Sequence, residues 1–413
     1  MLKPLALASA VTSLFVTSAL AADDLGITLA DGYHATIFAD NLGKARHLTV
    51  RDNGDVYVAM RGSQGIIALR DTDGDGVADV TEEMTSEAQT EVDIYGGYLY
   101  FSSNTEVFRA KLSADSLLPT GATESVVSGF LKQGQHAAKT FTFDDAGHIY
   151  VNVGAPSNAC QIKPRSAGSP GQNPCTQLDR QAGVWQFDAD KTGQVQADGH
   201  RYVTGLRNAI AIDWHPQGGL HLLQHGRDQL GALWGDYYTA EENAELPTEE
   251  FHQVHDGSDL GWPFTYFDAA RNKRMQGPEY GGDGKTEAAK GKYQTPIMSF
   301  PAHWAPNDLI FYKSGAFSPT MKGGAFIAFH GSWNRAPMTQ QGYRVVFVPF
   351  KVGEPNGPAV DIATGFSGDE ELADPRKAVY RPIGVAEGPD GSLYVADSMK
   401  GRIWKIMHEN QKH

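Results

Sequence analysis

A short pattern returns six times along this chain: a turn that ends in Gly, then a strand with an aromatic residue or His near its middle. The copies read NGDVYVAM from Asn53, GGYLYFSS from Gly96, AGHIYVNV from Ala146, GGLHLLQH from Gly218, GGAFIAFH from Gly323 and DGSLYVAD from Asp390. A repeated unit this small cannot bury its own apolar face, so neighbours must stack. Most copies follow another strand-like run, as in HLTVRD, KTFTFDD, IAIDWHP and IGVAEGP, and each such pair reads as a tight hairpin. A third strand follows, as in IIALRD, EVFRAKL, GVWQFDAD, YRVVFVPF and RIWKIM, and then a polar turn and a fourth strand, as in DADKTGQVQADGHRYVTG. Four antiparallel strands repeated six times predict an all-β chain folded as a six-bladed β-propeller. The last blade runs out of sequence at His413, and HATIFAD from His34 is a spare N-terminal strand that completes it and closes the ring.

The stretch DTDGDGVADVTE, Asp71 to Glu82, has the oxygen-ligand spacing of an EF-hand calcium loop, with Gly76 at position 6 and Glu82 at position 12. An EF-hand needs a helix on each side, whereas the preceding Gly65-Ile66-Ile67-Ala68-Leu69-Arg70 is strand-like. In the repeat frame DTDGDG occupies the place of DADKTG, the turn between third and fourth strands; its Asp and Gly residues suit a plain hairpin turn, with a calcium-holding turn on the face away from the site as the alternative.

Residues 1–22 read as a secretory signal peptide: one Lys, an apolar run from about Leu5 to Leu20, and Ala19-Leu20-Ala21 as a small-x-small cleavage signal. Residues 23–413 are then the propeller domain. The apolar run is short, carries Ser and Thr, and is followed by Asp23-Asp24, which disfavours a membrane anchor; no later run is long enough to span a bilayer. The expected location is periplasmic or secreted. Cys160 and Cys175 flank a Gly/Pro/Ser-rich segment, and in an oxidising compartment they are predicted to form a disulfide. The formal net charge of -14 opposes binding to nucleic acid and acidic membranes, so any anion site is a local exception.

Such an exception is legible. In each blade the starts of first strands and the ends of second strands share one face, and that face also carries the long loops after Val153, Gln224 and Phe329. Arg46, His136 with Lys139, Arg207 with Asn208, Asn307 and Arg381 stand just before inner strands; Arg61, His225, Arg227 and His330 stand at second-strand ends, with Asn334 and Arg335 nearby. An acidic chain that gathers Arg and His at equivalent positions predicts an anionic ligand on the propeller axis.

In the order GQHAAKTFTFDDAGHIYVNVG, TGLRNAIAIDWHP, HGRDQL, EEFHQVHDGSDLGWPF, AFHGSWNR and YRPIGVAEGPDGSLYVAD, the mature chain resembles the pyrroloquinoline quinone-dependent sugar dehydrogenases, the soluble glucose and sorbosone dehydrogenase-like propellers. The resemblance implies a periplasmic oxidoreductase that oxidises a sugar or related aldehyde or alcohol by hydride transfer to bound pyrroloquinoline quinone (PQQ), with Ca²⁺ as a Lewis acid beside it and an unidentified periplasmic electron acceptor. It implies His136 as general base, with Arg207 and Asn208 holding the cofactor and polarising the quinone. Arg46, Lys139, His330, Asn334, Arg335 and Arg381 would complete the cofactor site, where Arg provides planar forks for carboxylates. Calcium would be held at Gly226 and Arg227 by main-chain carbonyls, with Glu250 added. Ala209 stands where the glucose enzymes have Pro, and Lys139 where sorbosone-type members often have Arg, so glucose does not follow as substrate.

Two other functions fit a propeller. A calcium-dependent lactonase or esterase needs a ring of carboxylates and Asn around an axial metal, whereas the inner edges here offer mostly Arg and His. A non-catalytic glycan- or partner-binding propeller would use aromatic and neutral polar groups, for which Trp234, Trp262, Trp304 and Trp333 are available; aromatic platforms also suit a sugar substrate.

Overall fold

The computed structural model describes residues 25–62 and 64–409, so the signal-peptide reading falls outside the described residues. Six antiparallel sheets follow one another around a ring. Blade one is Ala45–Val50, Val56–Met60, Ile66–Arg70 and Val80–Met84, in that order from the axis outward. Blade six combines Pro382–Glu387, Leu393–Asp397 and Ile403–His408 with Tyr33–Ala39 from the other end of the chain. That pairing sets Tyr33 opposite His408 and Ile37 opposite Trp404, and it closes the ring as predicted. Closure joins the chain ends through a ladder of backbone hydrogen bonds.

The repeated motif forms the second strand of every blade, and its β-branched and aromatic residues suit a strand buried on both faces. All five residues of Val56–Met60 and of Ala325–Phe329 are buried. Between blades five and six, Trp404, Phe326 and Phe317 pack in one apolar cluster, each residue contributing roughly 1.5–3 kcal/mol by burial.

Near the axis the blades are tied by polar groups. Thr142 of blade three donates to Asp213 of blade four at 3.0 Å, and Asp213 accepts the Phe311 N–H of blade five at 2.8 Å. Asp308 of blade five accepts the Val385 N–H of blade six at 2.8 Å, and Thr49 of blade one donates to Asp93 of blade two at 3.1 Å. These carboxylates line a cavity of about 920 Å³ on the short-loop face, and their partners account for its acidic lining. A second cavity, about 610 Å³, opens on the long-loop face. Between them lies a buried layer in which His47 contacts Glu91 through Nδ1 at 3.0 Å and the Asn307 carbonyl through Nε2 at 2.7 Å.

The Asp71–Asp79 segment is the predicted turn between strands Ile66–Arg70 and Val80–Met84, and Glu82 lies within the second of these, paired with Ala68. Strands flank the loop on both sides, which removes the EF-hand reading. Asp71 accepts the Gly74 and Gly76 N–H groups at 2.7 and 2.9 Å, and Asp71, Asp73 and Asp79 each bring one oxygen within 4.8 Å of the others. Repeat logic missed the content of the long insertions. The segment after Gln224 holds two short helices, Leu230–Leu233 and Ala240–Glu245, and residues 254–297 carry an extra hairpin, Thr265–Asp268 with Lys273–Gln276. Among the described residues no helix is long and apolar enough to cross a membrane.

Candidate active site

The mouth on the long-loop face is built from the starts of inner strands and the loops around them. His136, Arg207, Asn208, Arg46, Arg61, His225, Asn307, His330 and Arg381 all line it, as the strand-edge reading predicted, and Gly226 lies among them. The His136 backbone sits at φ 49°, in the left-handed region that a side chain rarely occupies. Gln133 Nε2 maintains this bend by donating to the carbonyls of Gln135, His136 and Gly154 at 2.8, 2.9 and 3.0 Å. A Cβ on Gly154 would lie 2.7 Å from His136 Cβ and 2.8 Å from Asn208 Oδ1, so glycine there lets the imidazole and the amide stand side by side.

His136 Nδ1 lies 2.7 Å from the Ala155 carbonyl, which can only accept. The proton therefore sits on Nδ1, and Nε2 keeps its lone pair. Burial, reinforced by the Arg207 charge, pulls the ring's pKa down to about 3, so it is neutral through the ordinary working range. At pH 5 the apo-protein should still show His136 as the neutral Nδ1–H tautomer in long-range ¹⁵N–¹H spectra; an imidazolium signal at that pH would contradict this environment.

The cations around this base are unequally committed. Arg207 Nη2 donates to Asp228 at 2.7 Å and to Asn158 at 3.0 Å. Arg381 donates to the backbone carbonyls of His330 and Gly331 across the gap between blades six and five. Burial and the neighbouring Arg61 charge lower the Arg46 pKa to about 10, which still leaves it cationic at neutral pH. Arg46 Nε, Arg207 Nε, Asn208 Oδ1 and Asn307 Oδ1 are buried without a hydrogen-bond partner among the described residues. Buried polar groups normally have partners, and these open atoms stand at a mouth lined by Arg46, Arg61, Arg207 and Arg381, whose guanidinium groups suit anionic oxygens. The residues present thus fit a polycarboxylate.

Five of the expected residues lie elsewhere. Lys139 is fully buried; its ammonium donates to the Ala137 carbonyl at 2.6 Å, and burial lowers its pKa to about 7. It braces the His136 loop from behind. Arg335 is buried and donates to the carbonyls of Ala244 and Thr339 at 2.6 and 3.0 Å while pairing with Glu245, so it secures the short helix. The Asn334 carbonyl accepts from Asn243 at 3.2 Å, outside the mouth. The Arg227 side chain turns into an ion pair with Glu279, whereas the ligand expected from this residue is its main-chain carbonyl, next to Gly226. Glu250 pairs with Arg274 at 2.5 Å and His252 at 3.0 Å inside blade four.

Its neighbour Glu249 is the carboxylate that enters the mouth, accepting the Gly226 N–H at 2.8 Å and the Ala305 N–H at 3.0 Å. Burial raises its pKa to about 8, against these two hydrogen bonds. Adjacent strand residues face opposite ways, and which one faces the axis depends on register, here Glu249 opposite Phe300 and Glu250 opposite Gln224. Asp228 and His303 were also missed. Asp228 lies within HGRDQL, but its role depends on contacts that spacing does not encode. Of the four tryptophans, Trp333 lines the mouth, 50% exposed.

A cationic axial cavity with a neutral imidazole at its wall defines a propeller whose mouth suits a polyanion beside a proton acceptor. Residues 27–409 match the TrAA12-like family, and the chain belongs to it. A pyrroloquinoline quinone-dependent pyranose dehydrogenase of Coprinopsis cinerea is 27% identical over 229 residues, 49% of this chain and 30% of the fungal protein. An uncharacterised protein of Borreliella burgdorferi is 21% identical over 97% of this chain and 96% of that one. Among solved structures, the holo PQQ domain of the Coprinopsis cinerea pyranose dehydrogenase superposes with TM-score 0.72 at 20% identity, covering 92% of this chain and 97% of that domain. The calcium structure of the Trichoderma reesei family AA12 enzyme gives 0.74 at 19% identity with the same coverages. The soluble aldose sugar dehydrogenase of Escherichia coli gives 0.60 at 16%, covering 91% and 99%. The resemblance to the PQQ-dependent sugar dehydrogenases and the predicted six-bladed fold are both borne out.

Proposed function

We propose that this protein is a dehydrogenase that oxidises a sugar, or a related aldehyde or alcohol, by hydride transfer to PQQ held in the axial mouth. The observation that carries the reading is the convergence of Arg46, Arg61, Arg207 and Arg381 on a cavity that also contains a neutral His136. PQQ would supply the hydride acceptor. Arg46, Arg207 and Arg381 would hold its carboxylates, with Asn208 and His330 beside them. His136, kept in the Nδ1–H tautomer by the Ala155 carbonyl, has its lone pair at Nε2 and takes the proton of the substrate hydroxyl there. Asp228 orients Arg207. Glu249 and the Gly226 backbone form a hard oxygen-donor set suited to Ca²⁺, so the reading replaces Glu250 by Glu249.

Export to the periplasm or beyond belongs to the same proposal, supported by the Cys160–Cys175 disulfide and the composition of residues 1–22. The electron acceptor would then be a separate periplasmic or external partner. The test is reconstitution: apo-protein is given PQQ with calcium, and dye reduction is followed across a panel of aldoses and aldehydes. Failure to bind PQQ defeats the proposal.

Arg381 offers a sharper check. Nε and Nη2 are spent on blade five, which leaves Nη1 for a ligand. Arg381→Ala should weaken PQQ affinity roughly 10- to 100-fold, matching about 1.5–3 kcal/mol for a charge-assisted hydrogen bond. Arg381→Lys should recover only part of it, since a single ammonium cannot keep both carbonyls of blade five and still reach the ligand. Fluorescence titration measures both, and an unchanged Kd in Arg381→Ala would take this arginine out of the site.

A further inference from the structure

The loop closed by Cys160–Cys175 carries no blade strand, yet residues on both sides of Cys160 reach the groups that line the mouth. Asn158 precedes it by two positions and is buried. Its Oδ1 accepts from Arg207 Nη2 at 3.0 Å and from the Asp228 N–H at 2.9 Å, while its Nδ2 donates to the Asp228 carbonyl at 2.9 Å. Arg165 lies beyond Cys160. Its Nη1 donates to Gln229 at 2.6 Å, and its Nη2 donates to Asp228 Oδ2 at 3.2 Å and to Gln135 at 3.1 Å. Asp228 Oδ2 is also the atom that holds Arg207, at 2.7 Å. One carboxylate oxygen is therefore shared between an arginine of the mouth and an arginine of the rim loop. The same rim arginine grips Gln135, the residue before His136.

Arg165 stands within the loop that the disulfide closes. Gln161, next to Cys160, accepts the Arg165 N–H through Oε1 at 2.9 Å and donates through Nε2 to the carbonyls of Ser166 and Ser169 at 3.2 Å. The Cys160 carbonyl accepts the Gln172 N–H at 2.8 Å, drawing the return limb of the loop against the outgoing one. Within this frame the Arg165 backbone adopts φ 51°, a conformation a non-glycine residue keeps only when its surroundings impose it.

We infer that Arg165 is a positioning residue for the oxidation, locked in place by the Cys160–Cys175 disulfide, and that it acts through Asp228 on Arg207 and through Gln135 on His136. This rests on the dehydrogenase reading of the mouth. A misplacement of about 1 Å in a reacting group can cost on the order of 10²-fold in rate, and loss of the rim contact removes one brace behind each of the two groups. A lysine could reach one of the three acceptors but not all of them.

The experiment uses the mature protein loaded with PQQ and calcium. Arg165→Met should lower kcat roughly 10- to 100-fold with KM little changed and the urea midpoint unmoved, because the side chain is 30% exposed and leaves no buried charge without a partner. Arg165→Lys should recover less than half of the loss. Cys160→Ser/Cys175→Ser should reproduce the fall in kcat, and the triple variant should fall no further, since both changes remove one brace. Wild-type kcat in Arg165→Met overturns the positioning role, and additive losses overturn the link to the disulfide. A second arm needs no cofactor: the Arg207 Nε–H resonance of the apo-protein should shift in Arg165→Met. If wild-type protein binds no PQQ, the functional proposal fails, while this resonance still decides whether Arg165 sets Arg207; an unmoved signal would overturn the inference.

Discussion

His136→Ala should lower turnover roughly 10²- to 10⁴-fold while leaving PQQ affinity within a few-fold of the wild-type value. The separation follows from geometry. The imidazole donates its one N–H to the Ala155 carbonyl and contributes no cation to the mouth, since burial and Arg207 keep it neutral. Its value lies in the lone pair at Nε2, which a methyl group cannot replace. The loop should keep its shape, because Gln133 holds the backbone carbonyls of Gln135 and His136 and makes no bond to the imidazole. Cofactor titration together with single-turnover kinetics separates the two effects. Loss of PQQ binding in this variant would make His136 a ligand-holding residue and leave the base unidentified.

Arg227→Met should destabilise the fold by about 3–5 kcal/mol, the typical cost of breaking a buried ion pair from one side. Its partner Glu279 has a fully buried side chain; it would keep the Trp234 indole N–H, at 2.8 Å, but lose its only countercharge among the described residues. Arg227 joins the mouth loop to the segment that follows the extra hairpin, so the damage should be concentrated in that insertion. Replacing the pair together, Arg227→Met with Glu279→Leu, should restore much of the stability, since the carboxylate then no longer needs compensation. Urea denaturation of the three proteins provides the comparison. A single variant within 1 kcal/mol of wild type would show that the pair does not hold the insertion.

Both predictions turn on side chains that a sequence reading treats alike. Arg207, Arg227 and Arg335 all follow strand ends or loops on the same face, and nothing in their spacing separates a ligand-facing guanidinium from one that braces a loop. The outcome depends on which acceptor is nearer after folding. Arg227 meets Glu279 and Arg335 meets Glu245, 52 and 90 residues away along the chain. Arg46 and Arg207 instead line the axial mouth, and that difference makes them candidates for binding an anion.

What the sequence determined by itself was whatever repeats or is local. Six copies of a turn-and-strand motif dictated six blades, because each copy carries its own alternation and its own Gly turn, and the surplus strand at Tyr33–Ala39 could only complete the last blade. The same frame placed His136, Arg207, Asn208 and Arg381 at one mouth, since inner strands all start on one face. Only the tertiary structure decided between Glu249 and Glu250, removed Lys139 and Arg335 from the site, and brought Asn158, Arg165 and Asp228 together behind Arg207. Those outcomes depend on strand register and on contacts between loops far apart in the chain. Burial then decides whether a charge finds a partner inside the protein or is left to a ligand.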